Sequence, residues 1–164
     1  VAGLERVRFL VVDDNSHMLN IVKTILRGFG AVFIFEARDA SDAFSRLKND
    51  SIDIVIVDFM MEVLDGVEFV HMVRNSSDSP NRYVPVIMLT AHSERSRVTQ
   101  ARDAGVNEFC TKPVTALELF RKITAIIEHP RPFIKTDTYF GPDRRRRQKA
   151  DYNGPERRKN KRDI

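Results

Sequence analysis

A single cysteine, Cys110, occurs among 164 residues. It excludes an intrachain disulfide and any metal site built from cysteines alone, and within a run of apolar residues it reads as an inert small hydrophobe. No apolar stretch approaches the roughly 20 residues that a membrane-crossing helix needs. The first thirty residues also lack a basic segment followed by an apolar stretch and a small-residue cleavage site, so a cytoplasmic location is expected. The four histidines, His17, His71, His92 and His129, are scattered without ligand spacing and read as surface or boundary residues.

What is present is a soluble composition, 42% hydrophobic and 30% charged, in a chain long enough for one domain with a proper core. The net charge of +4 conceals an asymmetry: from Arg131 onward there are 12 Lys+Arg against 5 Asp+Glu, whereas the preceding residues carry three more acids than bases.

Short runs rich in Val and Ile recur at Val7-Val12, Val32-Phe35, Ile52-Val57, Val84-Leu89 and Val106-Cys110. Runs apolar on both faces suit strands of a parallel sheet covered on both sides. Helical spacing fills the gaps. Met18, Val22, Ile25 and Phe29 form a stripe after Ser16, a candidate N-cap, and Leu117, Phe120, Ile123 and Ile127 form another, opened by Thr115 with Glu118 three residues on. Weaker helical segments lie near Asp39-Lys48, Gly66-Asn75 and Glu94-Ala104. Five strands alternating with five helices predict a doubly wound α/β domain over residues 1–129.

Such sheets bind ligands beyond the carboxyl ends of their strands, where the topology switches direction. Asp13 and Asp14 end the first predicted strand, Asp58 the third and Thr90 the fourth, and Lys112 follows the fifth. Singly, an aspartate here reads as a helix cap, Thr90 as a loop hydroxyl and Lys112 as a surface lysine. Together they place three carboxylates on one rim, which cannot all stay ionised without a cation. Magnesium fits, since it prefers oxygen ligands, keeps several waters and suits one to three carboxylates beside a phosphate. One carboxylate can then act as nucleophile toward a phosphoryl group, with Lys112 as a second positive charge and Thr90 as a hydrogen-bonding hydroxyl.

Over roughly residues 7 to 128 the sequence resembles the receiver domain of bacterial two-component response regulators. The resemblance rests on Val11-Val12-Asp13-Asp14-Asn15, Asp58 with Gly66 eight residues on, Leu89-Thr90-Ala91 and Lys112-Pro113, in that order. It implies a flavodoxin-like fold with strand order 2-1-3-4-5, and Asp58 as acceptor of a phosphoryl group from a histidine kinase or histidine phosphotransfer protein. Asp13 and Asp14 would form the acidic pocket of the magnesium site, with Asp14, Asp58 and the backbone carbonyl of Met60 holding the ion. Thr90 and Phe109 match the family's switch pair, and a cis Lys112-Pro113 bond would aim the lysine into the pocket. The protein would be a phosphoacceptor, catalysing only its own phosphotransfer and dephosphorylation. Three positions depart from or tune the pattern: Glu62 replaces a usual proline, and Met60 and His92 occupy sites that influence acyl-phosphate lifetime. Haloacid-dehalogenase-like phosphatases also use an aspartate after a first strand, but require a second aspartate where Asn15 stands.

After Pro130 the apolar periodicity stops. Residues 130–164 contain a repeat, Tyr139-Phe-Gly-Pro-Asp-Arg-Arg-Arg-Arg147 and Tyr152-Asn-Gly-Pro-Glu-Arg-Arg-Lys159, spaced by 13 residues. Too few apolar residues remain for a second core, so this tail is expected to be irregular, disordered or ordered by a partner. Tyr139, Arg144, Arg145, Tyr152, Arg157 and Arg158 are its candidate interaction residues. The expectation is thus a stand-alone response regulator signalling by protein interaction or phosphate relay. The alternative is a phosphorylation-gated, nonspecific nucleic-acid binder that uses the basic tail, with its tyrosines stacking on bases.

Overall fold

The computed structural model describes residues 4–61, 65–91 and 98–144. Its central sheet has five parallel strands, β1 (Arg8–Val12), β2 (Phe33–Ala37), β3 (Ile54–Asp58), β4 (Val86–Thr90) and β5 (Glu108–Thr111), in the order β2-β1-β3-β4-β5. The helices are α1 (Ser16–Gly28), α2 (Ala40–Asn49), α3 (Gly66–Asn75), α4 (Val98–Ala104) and α5 (Ala116–Glu128). This is the doubly wound, flavodoxin-like arrangement that the alternating pattern predicts.

The period-2 alternation of strand side chains sorts each apolar run onto two faces. Leu10, Val12, Val55, Val57, Val86 and Met88 enter one core with α2, α3 and α4. Phe9, Val11, Ile54, Ile56, Ile87, Leu89 and Cys110 enter the other, with α1 and α5. Both faces being dry, β3 and β4 are buried at every residue. The strands begin one or two residues later than the apolar runs, because the leading residues arrive from loops before the ladders start.

Local chemistry sets the helix starts. Asp39 caps α2 through Asp42 N–H, Asp65 and Glu68 form a capping box on α3, and Thr115 accepts from Glu118 N–H on α5. The cap of α1 is Asn15, whose side chain accepts from Met18 N–H, and the expected cap Ser16 is instead the first helical residue. Either residue can cap; Asn15 does so because its own N–H is already tied to Asp13 Oδ1 at 3.0 Å. Of the weak helix predicted over 94–104, residues 94–97 lie outside the described residues.

The tail departs from expectation. Residues 133–135 and 140–142 form a two-stranded antiparallel hairpin, β6 (Phe133–Lys135) and β7 (Phe140–Pro142). Too small for a core of its own, it borrows one from the α/β domain. Phe133 and Phe140 pack edge-on to Tyr83, at ring separations of 5.2 and 5.4 Å. The guanidinium groups of Arg74 and Arg82 each lie 4.9 Å from one of these rings. The irregular stretch therefore does not begin at residue 130.

Candidate functional site

The carboxyl ends of β1, β3, β4 and β5 meet at one rim, and the backbone locks their relative heights. Asp13 N–H donates to Ala37 O at 3.0 Å, Phe59 N–H to Leu89 O at 2.9 Å, and Lys112 N–H to Thr90 O at 2.7 Å. Asp58 is the last residue of β3, and the fold buries it along with Asp13 and Thr90. Gly66 opens α3 against the back of this strand end; a Cβ there would overlap the main-chain oxygen of Asp58. A glycine eight residues after Asp58 thus permits the helix to approach the backbone of that strand end.

Lys112 Nζ lies 2.5 Å from Asp58 Oδ1, and the Lys112-Pro113 bond is cis. Asp13 Oδ1 accepts from Asn15 N–H, whereas Asp13 Oδ2 is buried and has no hydrogen-bond partner among the described residues. Burial above all, then the charges of Asp58 and Asp14, push the Asp13 carboxyl up to about 6, against the pull of Asn15 N–H and Lys112. A buried carboxylate oxygen lacking a donor, among other oxygen ligands, fits a hard divalent cation. Among the described residues no three His, Cys, Asp or Glu side chains form a ready-made metal cluster.

Phe109, on β5 beside the Met88 position of β4, is partly buried against the α2–α4 core. Met60 is half exposed at the mouth. Glu62 and His92 lie outside the described residues, as do Arg145, Tyr152, Arg157 and Arg158. Tyr139 is buried, with its hydroxyl donating to Pro142 O at 2.8 Å, and Arg144 pairs with Asp103 of α4. Both therefore serve the fold, and Tyr139 is not a ring presented for stacking on bases. His17, His71 and His129 are exposed, as expected, and burial pushes the Cys110 thiol up to about 12, which keeps it inert.

Two arginines went unnoticed in the sequence. Arg38 donates to Ser16 Oγ and to Asp14 O, bracing the loop that carries the acidic pair. Arg74 is wholly buried at the opposite end of the sheet. For Arg74 a sequence signal exists: it continues the apolar face of α3, four residues after Val70 and seven after Val67.

A doubly wound sheet with buried aspartates and a lysine converging on the carboxyl rim defines a signalling domain of the two-component type. The chain belongs to the response regulator receiver domain family, whose profile matches residues 9–124. It is 36% identical to chemotaxis protein CheY-3 of Vibrio cholerae over 124 residues, which are 76% of this chain and 94% of that protein. With chemotaxis protein CheY of Pseudomonas aeruginosa it shares 35% identity over 122 residues, 74% of this chain and 97% of the relative. Among solved structures it resembles the receiver domain of sensor histidine kinase PA1611 from Pseudomonas aeruginosa, which has a magnesium ion coordinated in its active site cleft. The TM-score is 0.65 at 26% identity, covering 74% of this chain and 97% of that one. No helix among the described residues is long and apolar enough to cross a membrane.

The Asp13 geometry has a pH consequence. Without metal, the folded protein holds this proton up to about pH 6, whereas the ordinary value is 3.8. The native state therefore binds the proton more tightly than the unfolded chain, and the associated stability is lost as pH rises through this window. Asp13→Asn is expected to stabilise the metal-free protein at pH 7.5 by on the order of 2–3 kcal/mol, with little effect at pH 4. Urea titrations at both pH values check this. Magnesium affinity, read by isothermal titration, should fall as pH drops below about 6, because protons then compete for Asp13.

Proposed function

We propose that this chain is a cytoplasmic phosphoacceptor regulator. Asp58 takes a phosphoryl group from the phosphohistidine of a histidine kinase or histidine phosphotransfer protein, and the modified receiver then acts by protein interaction or phosphate relay. The observation that carries the reading is the Lys112–Asp58 contact of 2.5 Å beside the buried carboxylate of Asp13. A carboxylate, an ammonium group and a second buried carboxylate stand on one rim.

An Asp58 carboxylate oxygen attacks phosphorus as the phosphorus–nitrogen bond of the donor breaks, and the imidazole leaves with the bonding electrons. Lys112 transfers its ammonium from the unmodified Asp58 carboxylate to a phosphoryl oxygen, so the group that masks the nucleophile beforehand neutralises the product afterwards. The Thr90 hydroxyl donates to a second phosphoryl oxygen, and the Phe109 ring follows it inward, altering the surface formed by α4, β5 and α5. Asp14, Asp58 and the Met60 carbonyl are the groups that would hold magnesium, with Asp13 alongside. Bound there, the ion supplies charge neutralisation at the phosphoryl oxygens.

Intact-mass analysis after incubation with a small phosphodonor tests this. A single phosphoryl adduct is expected with magnesium and none with a chelator; an adduct indifferent to magnesium overturns the reading. The half-exposed Met60 adds a second expectation. An apolar side chain cannot hydrogen-bond the water that hydrolyses an acyl phosphate, so the product should last minutes or longer. Met60→Asn should shorten that lifetime several-fold, and an unchanged or longer one would count against the assigned position.

A further inference from the structure

Arg38 stands between the end of β2 and the start of α2, and its backbone is held from both sides. Ala37, the last residue of β2, offers its carbonyl to Asp13 N–H at 3.0 Å, and Asp39 caps α2 by accepting from Asp42 N–H at 2.8 Å. From between these fixed points the Arg38 side chain, exposed at the rim, reaches across to the loop that follows β1. One guanidinium nitrogen donates to Ser16 Oγ at 2.6 Å and the other to Asp14 O at 3.2 Å. A planar, rigid fork thus spans Asn15 and fixes the peptide that leaves Asp14.

The neighbours of Asp14 are held by other means. Asp13 is tied to β2 through its N–H, and its Oδ1 accepts from Asn15 N–H at 3.0 Å. Asn15 is tied to α1, because its Oδ1 accepts from Met18 N–H at 3.0 Å as the helix cap. Asp14, between them, has its main-chain oxygen held by Arg38. Asp14 is also one of the carboxylates that would hold magnesium, and a carboxylate is aimed at an ion only as well as the groups behind it are fixed. A hydrogen bond from an exposed arginine adds little to global stability. What this one fixes is the direction in which Asp14 leaves the chain.

We propose that Arg38 is a positioning residue of the magnesium site, raising metal affinity by holding Asp14 at its main-chain oxygen and acting through that residue rather than by contact with the ion. The proposal rests on the reading of this rim as a magnesium-dependent phosphoacceptor site. It makes the geometry of the fork, not the positive charge, the property that matters: a lysine here would keep the charge and lose the two fixed donor directions.

The test titrates magnesium calorimetrically into the full chain as wild type, Arg38→Ala, Arg38→Lys, Ser16→Ala and the Arg38→Ala/Ser16→Ala double variant, with Asp58→Asn as a control on the site. Arg38→Ala is expected to bind magnesium about tenfold more weakly, the low end of what losing a group that orients a metal ligand does. Its melting temperature should stay within about 3 °C of wild type. Arg38→Lys should remain at least about threefold weaker than wild type. Ser16→Ala should show part of the loss, and the double variant should be no weaker than Arg38→Ala alone, because the two residues act through one hydrogen bond. In phosphodonor labelling, the magnesium concentration giving half the maximal adduct should rise in step, with the plateau at saturating metal retained. Wild-type affinity in Arg38→Ala would overturn the proposal, and so would full recovery in Arg38→Lys, which would make charge the cause. Wild type that binds no magnesium, or Asp58→Asn protein that binds it as tightly as wild type, would instead bring down the reading of the rim and this proposal with it.

Discussion

Asp58→Asn should abolish labelling by a small phosphodonor in the presence of magnesium, while the substituted protein remains folded. The carboxamide occupies the same volume at the end of β3, so the ladder to β4 and the approach of Gly66 are undisturbed. What is lost is nucleophilicity, since an amide oxygen has neither the charge nor the basicity to form a stable acyl phosphate. Lys112 also loses the anion it faces at 2.5 Å, and the pocket loses one of three negative charges, which should weaken magnesium binding as well. The check is quantitative mass spectrometry beside a denaturation curve. Undiminished labelling of a folded Asp58→Asn protein would place the acceptor elsewhere.

Much of this site was legible before any coordinates because strand ends are a topological property. Once five apolar runs are taken as parallel strands, the polar residue ending each run must lie on the same rim, whatever the details of the loops. Asp13, Asp58, Thr90 and Lys112 follow from that argument alone. The loop bracing by Arg38 does not, because its partners, Ser16 Oγ and Asp14 O, lie more than twenty residues away in sequence. Which of Asn15 and Ser16 caps α1 was undetermined for a different reason: two adjacent residues had the same chemistry, and the hydrogen bond from Asn15 N–H to Asp13 decides between them.

The hairpin was illegible because its strands are three residues long, too short for alternation to register. Tyr139, next to so many arginines, suggested stacking on bases; the structure sets it under Arg144, as it sets Phe133 and Phe140 under Arg74 and Arg82. A composition that is polar in bulk can still be packed when each ring finds a guanidinium. The two ends of the sheet thus have separate tasks. The carboxyl rim gathers Asp13, Asp58, Thr90 and Lys112, and the opposite rim carries the hairpin.

Arg74 joins the elements at that opposite rim, and Arg74→Met is expected to cost on the order of 3–5 kcal/mol. Its guanidinium donates to Gly105 O at 3.0 Å, Arg82 O at 2.9 Å, Val84 O at 2.7 Å and Asn107 Oδ1 at 2.9 Å, and the Phe133 ring lies 4.9 Å away. Burial pushes its pKa down to about 10, so it still carries its charge at neutral pH, solvated by carbonyl dipoles. Methionine would fill much of the channel occupied by the aliphatic stem, so the loss is polar rather than a cavity. Gly105 O, Arg82 O and Val84 O would each lose this donor, whereas Asn107 Oδ1 would keep Val86 N–H. For a chain of this size the melting temperature should fall by roughly 10–15 °C. Phe133→Ala, which removes the ring over the guanidinium together with its contacts to Tyr83 and Phe140, should cost about 1–2 kcal/mol. Phosphodonor labelling of the folded fraction should be unchanged in both variants, because these residues lie at the far end of the sheet from Asp58. A loss below about 1 kcal/mol for Arg74→Met would mean that water takes over the abandoned carbonyls, and a loss of labelling in folded protein would mean that the two rims are coupled.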